Sequence, residues 1–79
     1  MNRSQILKEI NDIFIEIIED KDVVLSESTT AEDIDEWDSL THIQIIVSLE
    51  KHFKLRFESQ EIQEWKNIAD IINSVIEKL

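Results

Sequence analysis

One stretch in the middle of the chain decides the fold, and it reads Asp38-Ser39-Leu40-Thr41-His42-Ile43-Gln44-Ile45-Ile46-Val47-Ser48-Leu49-Glu50-Lys51-His52-Phe53. Its apolar residues recur at helical spacing, and the series is Leu40, Ile43, Ile46, Val47, Leu49 and Phe53. Asp38 and Ser39 are both favourable N-cap residues, so the stretch predicts a helix of about four turns that begins at one of them.

The flanking segments carry the same helical signal. Before the central stretch, a first helix is predicted over residues 4–20, capped by Asn2 or Ser4, with the apolar stripe Ile6, Ile10, Ile13, Phe14 and Ile17. After it, Ser59 can cap a short helix that ends at Glu64. Asn67 can cap a last helix with the stripe Ile68, Ile71, Ile72, Val75, Ile76 and Leu79.

Length and composition favour a single all-α domain. The chain has 79 residues, too few to divide between two cores, so residues 1–79 are expected to form one domain. It contains no Gly and no Pro, which removes the usual hairpin-turn residues. The prediction is a small four-helix bundle, with three longer helices, a short third helix and a long first loop.

The charge of the chain narrows the possible partners. Its formal net charge is -10, and nine of its 18 acidic residues fall in residues 19–38, beside Lys21 as the only base. Such a surface repels nucleic acids and anionic membrane faces. The chain also has no Cys and no apolar run long enough to span a membrane, so we expect a cytoplasmic protein. We also expect it to be a monomer.

Several chemistries are unsupported. Without Gly there is no phosphate-binding loop of the Walker or Rossmann type. His42 and His52 lie about 15 Å apart along the predicted helix and cannot share a metal, and both are expected to be exposed. The acidic loop lacks the spacing of a calcium-binding loop. We therefore expect neither a metal site nor an enzyme.

Ser39 is the remaining candidate. If Asp38 is the N-cap, the Ser39 hydroxyl points outward where the backbone N–H groups and the positive end of the helix dipole converge. The dipole would favour a phosphoester there by ~0.3–1 kcal/mol. The charge of Asp38 would oppose it by ~1 kcal/mol in water, so a phosphate is permitted but not required. Alternatively, Ser39 is simply part of a helix cap.

The sequence resembles the acyl carrier protein family, in its stand-alone form. The resemblance rests on Asp38-Ser39-Leu40 after an acidic loop, the apolar helix that ends at Phe53, and Asn67-Ile68-Ala69-Asp70-Ile71-Ile72 at the start of the last helix. It implies that a phosphopantetheinyl transferase attaches 4′-phosphopantetheine from coenzyme A to Ser39, beside Asp38 and Leu40. The arm would carry acyl, aminoacyl or polyketide intermediates as thioesters, as in fatty acid or specialised biosynthesis.

The same resemblance implies two further surfaces. Enzymes that transfer or ligate acyl or aminoacyl groups would dock through basic patches on Asp35, Glu36, Thr41, Ile43, Gln44 and Glu50. Leu40 and Ile43 either add apolar contacts there or belong to the core. An acyl pocket is expected among Val47, Ile62 and Ile72, which alternatively are ordinary core residues. Trp37 is expected to anchor the loop. The competing hypothesis is an unmodified acidic adaptor that presents its first loop to a basic protein.

Overall fold

Four helices form the architecture, as the sequence predicts. The computed structural model describes residues 2–79, so Met1 of the predicted domain lies outside the described residues. The helices are α1 (Arg3–Ile18), α2 (Ser39–Phe53), α3 (Ser59–Glu64) and α4 (Ile68–Lys78), and the described part of the chain contains no strand. The fold is therefore all-α, with a short third helix and a long first loop.

Short polar side chains set most helix starts. The side-chain oxygen of Asn2 accepts from the backbone N–H of Gln5 over 2.8 Å and begins α1. Asn67 does the same for α4, accepting from the N–H of Asp70 over 3.0 Å. The third helix differs from the prediction, because Glu58 is its N-cap and Ser59 is its first helical residue.

The core lies where α1, α2 and α4 meet, because each places one apolar face inward. Its buried members are Ile6, Ile10, Ile13, Phe14, Leu25, Ile45, Leu49, Phe53, Phe57, Ile68, Ile71, Ile72 and Val75. Two residues of the predicted α4 stripe lie outside this core, since Ile76 and Leu79 are exposed near the end of that helix. Burial of these apolar surfaces stabilises the bundle.

The long first loop is fastened to the helices by polar contacts. In α1, the amide of Asn11 accepts from Leu25 N–H over 2.6 Å and donates to the Val23 carbonyl over 3.1 Å. At the start of α1, the Arg3 guanidinium forms an ion pair with Glu27. The loop is thus ordered, although Val24 within it is exposed.

Candidate functional site

Ser39 stands at the start of α2 with its side chain in solvent. It is the first helical residue, it is exposed, and its hydroxyl has no hydrogen-bond partner among residues 2–79. The first turn of an α-helix has backbone N–H groups without intrahelical acceptors, and it is the positive end of the helix dipole. An anion bonded to this oxygen therefore meets a favourable field.

Asp38 and Thr41 fix the backbone on either side of Ser39. Asp38 Oδ1 accepts from Thr41 N–H over 2.9 Å, and Thr41 Oγ1 accepts from Asp38 N–H over 2.8 Å. The Thr41 hydroxyl also donates to the Glu36 carbonyl over 2.8 Å, which holds the end of the acidic loop. The N–H of Thr41 lowers the pKa of Asp38, so this carboxylate keeps its charge beside the serine.

His42 lies one turn after Ser39 and is partly buried, which corrects the expectation that it is exposed. Its Nδ1 accepts a 3.0 Å hydrogen bond from Trp37 Nε1–H, and the two rings stack with centroids 5.9 Å apart. Burial lowers the pKa of His42 from its usual 6.5. The imidazole is therefore a structural acceptor for the indole that precedes the site.

Trp37 joins this cluster to the core, as expected for an anchor of the loop. Its ring meets Phe14 of α1 edge to face, with centroids 4.9 Å apart. On the other side of His42, Trp65 packs edge-on at 6.3 Å and donates from Nε1 to Ser74 Oγ over 2.8 Å. The aromatic residues thus tie the first loop, α2 and the α3–α4 junction together.

A groove of about 390 Å³ opens beside Ser39 between these elements. Its lining residues are Ala31, Trp37, Asp38, Ser39, His42, Trp65, Lys66 and Asn67. The groove is not evident from the sequence, because its walls come from three separate segments of the chain. The one available signal was the position of His42, which is in helical register with the buried Ile45 and Leu49.

The residues predicted for docking fall into two groups. Asp35, Glu36, Ile43 and Gln44 are exposed around the start of α2. The other two are partly buried and engaged within the bundle: Thr41 in the helix cap, and Glu50 through a 2.9 Å bond from Phe57 N–H to its Oε2. Leu40 and Ile43 do not belong to the core, because they are 67% and 59% exposed.

The three residues predicted for an acyl pocket have different environments. Ile72 is fully buried, Ile62 packs partly buried against the core, and Val47 is 43% exposed. Val47 follows Leu40 and Ile43 at helical spacing, so these three form an exposed apolar stripe on α2.

Two kinds of feature are absent from the described residues. Residues 2–79 contain no group of three or more His, Cys, Asp or Glu side chains placed to hold a metal ion. Within the same range, no helix has the length and apolar character needed to cross a membrane.

Comparisons with known proteins agree with this arrangement. Residues 4–75 match the family model of the phosphopantetheine attachment site. The chain is similar to the holo acyl carrier protein from Geobacter metallireducens, solved by solution NMR, at 43% identity and a TM-score of 0.86. That match covers 91% of this chain and 83% of that chain. No curated protein sequence matches.

A second solved structure, the acyl carrier protein from Thermotoga maritima, has 27% identity and a TM-score of 0.85, over 99% of this chain and 91% of that chain. The fold and the family match together define a carrier protein with a phosphopantetheine prosthetic group and no catalytic activity of its own. The chain belongs to the acyl carrier protein family.

Proposed function

We propose that Ser39 is the attachment site of 4′-phosphopantetheine and that the chain shuttles acyl, aminoacyl or polyketide intermediates between enzymes. The observation that carries this proposal is the exposed and unpartnered Ser39 hydroxyl at the first residue of α2, inside the segment that matches the family model. The terminal thiol of the bound arm supplies the thioester linkage, which explains how a chain without Cys can carry acyl groups.

The loading reaction uses a single group of this chain. Ser39 Oγ attacks the pantetheine-bearing phosphorus of coenzyme A and a new O–P bond forms. The pyrophosphate P–O bond breaks, adenosine 3′,5′-bisphosphate leaves, and the hydroxyl proton passes to a base of the phosphopantetheinyl transferase. Asp38 retains its charge next to the reacting oxygen, where it can contact a metal ion held by the transferase.

The surface around Ser39 suits brief encounters with partner enzymes. Asp35 and Glu36 are exposed carboxylates immediately before the site, and they would steer it toward basic patches on those enzymes. The exposed stripe of Leu40, Ile43 and Val47 offers apolar contact along α2. Gln44 and the engaged Thr41 and Glu50 complete the predicted docking surface.

The acyl pocket of Val47, Ile62 and Ile72 stays a prediction. Because Ile72 has no exposed surface, a cargo chain would reach it only if neighbouring helices separate. Broadened backbone NMR signals of these three residues on loading with a long acyl group, but not with acetyl, would support that pocket.

Loading tests the proposed attachment directly. Incubation with coenzyme A and a broad-specificity transferase should add the mass of one phosphopantetheine group. Ser39→Ala should abolish the addition, while Ser48→Ala, a matched change in the same helix, should leave it intact. An unmodified wild-type chain would contradict the proposal. Full biological activity of Ser39→Ala would favour the unmodified adaptor instead.

A further inference from the structure

The groove beside Ser39 has the composition of a binding site for the part of the arm nearest the protein. Resting on the proposed attachment at Ser39, we propose that it binds the phosphodiester and the branched apolar pantoyl group. His42 and Lys66 would bind the phosphodiester, while Trp37 and Trp65 would contact the pantoyl methyl groups. This site is distinct from the predicted acyl pocket of Val47, Ile62 and Ile72.

The occupant follows from the position of the tether. Ser39 itself lines the groove, so a group bonded to its oxygen begins inside it. The groove measures about 390 Å³, which is room for a small branched group but not for a folded partner. Because the arm is covalently bonded to Ser39, its binding in the groove avoids most of the loss of translational entropy that a free ligand would incur.

His42 presents a hydrogen-bond donor with a defined tautomer. Because Nδ1 accepts the 3.0 Å bond from Trp37 Nε1–H, the ring proton of the neutral imidazole lies on Nε2. That N–H has no partner among residues 2–79. Ser39 and His42 are three residues apart on α2, which places their Cβ atoms about 5–6 Å apart on one face. A phosphodiester on Ser39 is thus within reach of Nε2–H.

The two tryptophans contribute apolar surface only. Trp37 gives its N–H to His42, and Trp65 gives its N–H to Ser74 Oγ. With both indole donors used inside the bundle, the rings offer faces and edges suited to methyl groups. The pantoyl group carries two methyl groups on one carbon, close to the phosphate, and therefore matches this wall.

Charges around the groove are divided between its two sides. Asp38 lines it with a carboxylate, but this carboxylate is bound to Thr41 in the helix cap. Lys66 is the only Lys or Arg among the lining residues, and it is exposed. Lys66 therefore attracts the phosphodiester, Asp38 repels it, and the directional hydrogen bond from His42 helps to fix its position.

NMR spectroscopy of the isotope-labelled holo protein tests this proposal. We expect nuclear Overhauser effects between the arm methyl protons and the indole protons of Trp37 or Trp65, with the methyl signals shifted from those of free pantetheine. The ³¹P signal of the arm should titrate with the pKa of His42. His42→Gln should lose the ³¹P titration, and His52→Gln, a matched change elsewhere on α2, should retain it.

Failure of the groove proposal can be distinguished from failure of the proposed attachment at Ser39. A wild-type chain that gains no mass from the transferase overturns the attachment at Ser39. A chain that gains the mass, yet shows methyl shifts equal to those of free pantetheine and a ³¹P signal independent of His42, overturns the groove alone. Lys66 is exposed, so the Lys66→Gln variant should fold normally. It should nevertheless bring the arm methyl signals closer to their positions in free pantetheine.

Discussion

Asp38 and Thr41 cap each other across the first turn of α2, each accepting a hydrogen bond from the backbone N–H of the other. Ser39 lies between them and contributes nothing to this cap. The helix start is therefore stabilised by its neighbours, which leaves the serine hydroxyl free for chemistry. In many helices a serine at such a position would itself be the cap.

Thr41→Val tests this division of roles. The valine has nearly the same shape but lacks the hydroxyl, so Asp38 N–H and the Glu36 carbonyl each lose one hydrogen bond and keep only the 3.1 Å bond between them. We expect the free energy of unfolding to fall by about 1 kcal/mol in urea titrations. Thr41→Ser keeps the hydroxyl and should recover most of the loss. Equal stability of all three proteins would show that the cap is unimportant.

Two isoleucines of α2 give a matched test of its packing. Ile45 is fully buried, whereas Ile43 is 59% exposed. Ile45→Ala should lower the free energy of unfolding by ~2–5 kcal/mol, because it removes buried methyl groups and leaves a cavity. Ile43→Ala should change it by no more than ~0.5 kcal/mol. Similar losses for the two variants would contradict the orientation of α2.

The sequence predicts the four helices and the cap of α4, because Asn at that position satisfies the first backbone N–H groups by local contacts. For α1 and α2 it offers two candidate caps each, and the structure selects Asn2 and Asp38. The sequence does not predict the cap of α3, since Glu58 is not a residue usually favoured there. Local chemistry therefore decides most helix starts.

The orientation of α2 is harder to predict, because apolar residues lie all around this helix. The predicted series omits Ile45, which is fully buried, and includes Leu40 and Val47, which are exposed. His42 belongs to the face of α2 that points toward the core. If it is counted as a polar surface residue, the helical periodicity of that face is hidden. Its burial depends on the indole of Trp37, a contact across a loop that periodicity cannot reveal.

Lys54 occupies a position where glycine is usually favoured, and this chain contains no glycine. It ends α2 in the left-handed conformation at φ 58°, which a residue with a Cβ adopts at a cost. Lys54→Gly should therefore raise the free energy of unfolding by ~0.5–1 kcal/mol. Lys51→Gly, within the same helix, should lower it by about 1 kcal/mol in the same denaturation assay. Destabilisation by both changes would refute the strain at Lys54.

The pH dependence of stability should contain a contribution from His42. Burial lowers its pKa in the folded chain, so below the unfolded value of 6.5 the unfolded state binds a proton more readily. The stability contribution is complete above 6.5 and is lost as the pH falls toward the folded pKa. Between about pH 7.5 and 5.5, the free energy of unfolding measured by denaturant titration should fall more for wild type than for His42→Gln. Equal losses would contradict this account.

The most direct test of the central claim is the mass of the protein purified from cells that express it naturally. We expect an intact mass that exceeds that of the chain by one phosphopantetheine group, with or without an acyl cargo, and fragment ions that place the addition on Ser39. A population that is unmodified throughout, or an adduct on a residue other than Ser39, would contradict the account.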